Sequence, residues 1–166
     1  DIIVNVEASV SGGKLLPVSD AIIRLGDYNA ACLDDHGLFQ NNECSMGGWD
    51  EWRYCAWLEA FVRVREQLDD KRTAAWTKKF IDSGDHFMPM CIDMDTCDGR
   101  IPNHATWSHV YMYRVGQIFK IADYVNIPGD AIQRIIASQT PDGCWREGQS
   151  AGGFQGTPVT HYNLTT

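Results

Sequence analysis

The chain has 166 residues, 44% of them apolar, and a formal charge of -8. That length fits one domain, and that apolar share excludes a disordered or fibrous chain. The negative balance argues against a nucleic-acid binder and admits an acidic polymer only at a locally basic cleft.

No apolar run reaches the length of a membrane span, and no signal peptide is visible. The first residue is Asp1 rather than Met, so a processed or trimmed product is expected. The first ten residues alternate loosely (Ile3, Asn5, Glu7) and read as a short strand or an extended lead-in. Ser11-Gly12-Gly13 then breaks the chain.

Ser19-Asp20 is expected to cap a first helix, with Ile22, Leu25, Tyr28 or Asn29, and Cys32 at helical spacing and Gly37 at its exit. A second helix is expected from about Asp50 to Asp69. Its buried face is Tyr54, Trp57, Leu58, Phe61, Val64 and Leu68, and its outer face carries Glu59, Arg63, Glu66 and Gln67. A third runs from about Lys71 to Phe87, with Trp76, Phe80 and Phe87 in phase and Pro89 closing it. The fourth is expected from Asn103 to Tyr124, burying Trp107, Tyr111, Val115, Ile118 and Ala122. The fifth is expected from Pro128, at a first-turn position, to Ser138. The tail beyond Thr140 is rich in Gly and Pro and reads as loop.

One loop pattern recurs: Asp35-His36-Gly37-Leu38-Phe39, Asp98-Gly99-Arg100-Ile101 and Asp142-Gly143-Cys144-Trp145 each set a turn glycine before an apolar residue. The glycines are 62 and 44 residues apart. That spacing suits one helical hairpin per unit, and stacked hairpins build solenoids or closed toroids. The expected fold is therefore all-α: an extended lead-in over 1–18 with little or no strand, then a partial α/α toroid over 19–166. A ring of six such hairpins needs about 300 residues. A second chain or a missing segment is thus expected to complete it.

Six cysteines contain no C-x-x-C pair, so no structural zinc site is expected. Cys55 reads as a buried thiol, while Cys32 with Cys44, and Cys91 with Cys97, flank loops and are candidates for bridges. Asn163-Leu164-Thr165 is a glycosylation sequon. Together these point to a secreted or periplasmic protein.

Three segments can carry chemistry. Asn103-His104 follows Pro102 at a helix start, where free N–H groups and partial positive charge favour a carboxylate. Read alone, Asn103 is an N-cap and His104 a surface residue. His161-Tyr162 offers a base and an acid once a pKa is lowered, or simply packs a helix. Trp145-Arg146 adds an aromatic wall and a cation that can bind a carboxylate, or pair with Glu147. Asp93, Asp95 and Asp98 read as a solvated acidic loop rather than a calcium site, because no EF-hand Glu follows. The phosphate-loop and H-E-x-x-H patterns are absent from the sequence.

Asn103-His104-Ala105-Thr106-Trp107, then Pro141-Asp142-Gly143-Cys144-Trp145-Arg146-Glu147-Gly148, then His161-Tyr162-Asn163, resembles the α/α-toroid polysaccharide lyases of the heparinase II/III, alginate and hyaluronate group. Cys144-Trp145 stands where that family carries a Ser-aromatic pair. The resemblance implies β-elimination at a uronic acid without a cofactor or catalytic metal. It also implies an anionic polysaccharide as substrate, and neither nucleic acid nor a membrane as partner. In it, Asn103 and His104 neutralise the substrate carboxylate, Tyr162 or His161 removes the C5 proton, and Arg146, Trp145 and Trp107 hold the chain. Gln139-Thr140-Pro141-Asp142-Gly143-Cys144-Trp145 and Asp93-x-Asp95 are also similar to the Gln-Trp and acidic motifs of terpene-cyclase toroids, which implies an apolar polyprene instead. A helical scaffold that binds a partner on a concave surface is the third expectation.

Overall fold

The computed structural model describes residues 8–9, 15–39, 51–92, 102–137, 141, 145–146 and 158–159. Five helices dominate: α1 (Val18–Cys32), α2 (Glu51–Val64), α3 (Asp70–Ile92), α4 (Pro102–Phe119) and α5 (Ala122–Ala137). Among the described residues the fold is all-α apart from two minimal antiparallel pairs. β1 (Ala8–Ser9) pairs with β2 (Leu15–Leu16), and β3 (Trp145–Arg146) pairs with β4 (Pro158–Val159). A 3-10 turn over Arg65–Gln67 ends the second helical segment earlier than its apolar pattern suggests.

The helices pack around one shared core. α3 lies against α1 and α5, and α2 lies against α4; α1 also meets α2, and α4 meets both α3 and α5. Aromatic rings fill the space between α2, α3 and α4. Trp57 and Phe61 of α2 meet Trp76 and Phe80 of α3, with the Trp57 and Phe80 centroids 4.3 Å apart. Tyr54, Phe87 and Tyr111 extend the cluster across α2, α3 and α4. Tilted and edge-on rings of this kind bury large areas and add about 0.5–1.5 kcal/mol per pair beyond burial.

The expected inner faces of α2 and α3 are buried, from Tyr54 through Val64 and from Trp76 through Phe87. The face of α1 meets expectation at Asn29 and Cys32 and departs from it at Leu25 and Tyr28. Leu25 and Tyr28 are exposed, whereas Gly26, Asn29 and Cys32 are buried. The Trp76 indole causes this, because it occupies the place where a side chain on Gly26 would stand. Trp76 Nε1 also donates to Asp27 Oδ1 at 3.1 Å, so α1 docks on α3 through Gly26 and Asp27.

Several boundaries differ from the sequence reading. α1 starts at Val18 after Pro17, so Ser19 and Asp20 lie in its first turn and do not cap it. Pro89 sits inside α3 and Pro128 inside α5. A proline removes one i−4 hydrogen bond and crowds that carbonyl, a cost that tertiary packing overrides here: Pro128 is fully buried. The fourth and fifth helices are instead divided at Lys120, whose φ is 60°. Ile121 N donates to Gly116 O at 3.0 Å, closing a Schellman turn with Lys120 in the left-handed position that glycine usually fills. Ala122 therefore opens α5 and is exposed rather than part of the buried face of α4.

The Asp-Gly loop after α1 forms as the sequence suggests. Gly37 has φ 73°, and Asp34 Oδ1 accepts from His36 N and Leu38 N, both at 2.9 Å. Leu33 and Phe39 close the turn as a bridge. The other two Asp-Gly loops, around Gly99 and Gly143, lie outside the described residues.

The two left-handed positions make opposite predictions. Gly37→Ala is expected to cost about 2–4 kcal/mol, since the added methyl meets Ser83 backbone and the φ is strained. Lys120→Gly is expected to stabilise by about 0.5–1 kcal/mol by relieving the strain at that turn. Urea unfolding midpoints of the two variants against wild type check both signs.

Candidate functional site

α4 begins at Pro102, so the backbone of Asn103 and His104 forms the first turn of an eighteen-residue helix. The opening N–H groups of a helix lack intrahelical acceptors and carry partial positive charge. One turn on, Thr106, Ser108 and His109 are buried and Trp107 is half-buried.

Trp107 lines a groove between α2 and α4 of about 210 Å³, together with Cys55, Leu58, Glu59, Val110, Tyr111 and Arg114. Its floor is apolar: Leu58 and Tyr111 are fully buried. Its lip is an ion pair. Arg114 Nε donates to Glu59 Oε1 at 2.7 Å, Nη2 lies 2.7 Å from the same oxygen, and Nη1 donates to Gln117 Oε1 at 2.9 Å. Cys55 is half-buried in this groove rather than fully buried, and its thiol donates to Trp107 O at 3.5 Å.

A second hollow lies between the Asp-Gly turn and α3. Asp35, His36, Leu38, Asp82, Asp85 and His86 line about 500 Å³ there. The Tyr124 hydroxyl donates to Asp85 and also reaches Ile81 O at 3.2 Å. Burial, together with the bond to Asp85, pushes the Tyr124 pKa well above its ordinary value. Sequence reading did not single out Asp85 and His86, because they sit within a helical run and meet the Asp-Gly turn only in the fold. Among the described residues no group of three His, Cys, Asp or Glu side chains is arranged to hold a metal ion.

The predicted residues of the tail fall partly in view. Trp145 and Arg146 form β3, with Trp145 opposite Val159 and Arg146 opposite Pro158. The chain thus leaves β4 at the Trp145 end on its way to His161 and Tyr162, which lie outside the described residues. So do Asp93, Asp95 and the sequon at Asn163.

The cysteines divide. Cys32 is disulfide-bonded, with its partner outside the described residues. Cys91 is a fully buried thiol and does not bridge to Cys97, because its side chain turns into the core from the last turns of α3. No described helix is long and apolar enough to cross a membrane. Comparison of the chain with protein-family models, with curated proteins and with solved structures found no match in any of the three.

Tyr111 beneath the groove makes a pH prediction. Its hydroxyl donates to Phe80 O at 3.0 Å, and burial pushes its pKa well above the ordinary 10.0. The folded chain therefore keeps a proton that the unfolded chain releases above pH 10, so stability falls as pH rises beyond that point. Tyr111→Phe is expected to cost about 1 kcal/mol at pH 7. The wild-type and variant curves should converge above pH 10, and a gap in unfolding free energy that stays constant to high pH contradicts this.

Proposed function

We propose that this chain is the helical part of an α/α toroid that cleaves a uronic-acid-containing polysaccharide by β-elimination. The observation that carries the proposal is the position of Asn103 and His104 in the first turn of α4, one turn before the Trp107 groove. A uronate C5 proton is too weakly acidic to leave unaided. Neutralising the adjacent carboxylate acidifies it and stabilises the enolate-like charge that develops. A helix start bearing an amide and an imidazole suits that task.

In this scheme Tyr162 or His161 takes the C5 proton. The C4–O bond then breaks as the C4–C5 double bond forms, and a tyrosine protonates the departing oxygen. Arg146 binds a neighbouring carboxylate, and Trp145 and Trp107 stack on sugar rings. The β3–β4 pairing supports this by joining the Trp145-Arg146 segment to the one that leads into His161-Tyr162.

Two further observations support the wider assembly. The contacts between the chain-adjacent helices α1 and α2, and α4 and α5, are compatible with stacked helical hairpins. Leu25 and Tyr28 on α1 and Trp52 on α2 are exposed, which suits a further hairpin or a second chain packing there. The disulfide at Cys32 fits a secreted or periplasmic location.

Incubating the full-length protein with alginate, heparan, hyaluronan or glucuronan should raise ultraviolet absorbance from the unsaturated product. Tyr162→Phe should abolish the rise. No rise with any of the four contradicts lyase activity on them, and a rise that survives Tyr162→Phe removes Tyr162 as the base.

A further inference from the structure

The α2–α4 groove has a chemistry of its own, and we infer that it is a subsite for one uncharged sugar ring. As part of a substrate site, this rests on the polysaccharide-lyase proposal. It narrows the substrate to a polymer in which a neutral residue neighbours the uronate.

The volume sets the size of the occupant. About 210 Å³ gives room for one sugar ring. The apolar surface comes from Leu58, Val110 and Tyr111, with the Trp107 indole at one side. Aromatic and aliphatic surface of this kind takes the C–H face of a pyranose, which is dehydrated at little cost.

The lip sets the charge. Glu59 and Arg114 neutralise one another at 2.7 Å, and both are only partly exposed, at 46% and 39%. A carboxylate entering here would have to compete with Glu59 for the guanidinium and would meet the Glu59 charge beside it. Sugar hydroxyls meet no such penalty. Arg114 keeps N–H donors beyond the three groups already engaged, and Glu59 Oε2 accepts no hydrogen bond among the described residues. A donor and an acceptor side by side match a vicinal diol, which both donates and accepts. The pair thus admits a neutral ring and discriminates against a uronate, whose place is the helix start at Asn103 and His104.

Cys55 supplies a readout that does not depend on catalysis. Its thiol lines the groove, so a ring seated there covers it. The experiment follows alkylation of Cys55 by iodoacetamide in the full-length protein, with peptide mapping by mass spectrometry. Methyl β-glucoside and N-acetylglucosamine serve as neutral probes and sodium glucuronate as the anionic one. Both neutral probes, or either, should slow Cys55 alkylation at least about threefold at saturation, with glucuronate having little effect.

Glu59→Gln changes only the charge of a partly exposed lip residue and is expected to fold. It leaves Arg114 unbalanced, so glucuronate should now protect Cys55 as the neutral probes did. Protection of wild type by glucuronate as strong as that by the neutral sugars overturns the inference. So does the absence of protection by any probe, or an unchanged preference in Glu59→Gln. The ultraviolet assay on uronate polymers reports the lyase chemistry separately: its failure with Cys55 protection intact removes the lyase and leaves a neutral-sugar site.

Discussion

One backbone carbonyl, that of Gly37, holds the described fold together at its first turn. The Ser83 hydroxyl of α3 donates to it at 2.6 Å and the Tyr54 hydroxyl of α2 at 3.0 Å. Tyr54 in turn accepts from Phe39 N at 3.2 Å, and Lys79 Nζ donates to the carbonyls of Leu33 and Asp34 at the end of α1. The exit of α1 is thereby fixed to both neighbouring helices by buried polar groups that are costly to leave unmade. The position requires glycine twice over, by its φ of 73° and by the closeness of Ser83.

From that anchor the positions of α2 and α3 follow, and with them the setting of α4. Arg53 donates to Asn29 and stacks its guanidinium 4.0 Å from the Phe39 ring, tying α2 to α1. Arg72 and Trp76 both bond Asp27, tying α3 to α1. α4 then lies against both α2 and α3, with Tyr111 bonded to α3 and Arg114 to α2. Two fixed neighbours leave the helix little freedom to turn, so the groove beside Trp107 is held by side chains bonded on both its sides.

Much of this was legible in the sequence where periodicity was strong. The apolar faces of α2 and α3 follow from rings at helical spacing, and the Asp-Gly turn follows from turn chemistry that needs few residues. What failed was decided by contacts across the fold. Leu25 and Tyr28 satisfy the helical period, but the Trp76 indole claims the face centred on Gly26 instead. Pro89 and Pro128 read as boundaries because a proline costs a hydrogen bond, yet both lie inside helices. The true break, at Lys120, carries no glycine to announce it.

In the region of the candidate site, the helix start is legible in the sequence and the groove is not. Pro102 marks Asn103 and His104 as a helix start in the sequence, and α4 does begin there. Trp107 lines a groove whose other members Glu59 and Arg114 are 55 residues apart and meet only in the tertiary structure. The hollow between Asp35, His36, Asp82, Asp85 and His86 has the same cause, since one half comes from the turn after α1 and the other from α3.

The central functional claim is that the start of α4 and the His161-Tyr162 segment face one substrate ring. Paramagnetic broadening of the His104 imidazole signals by a nitroxide at position 162, in the full-length protein, tests it most directly. The account predicts strong broadening of His104 that is reversed on reduction of the nitroxide. His104 signals left sharp by the oxidised label would contradict it.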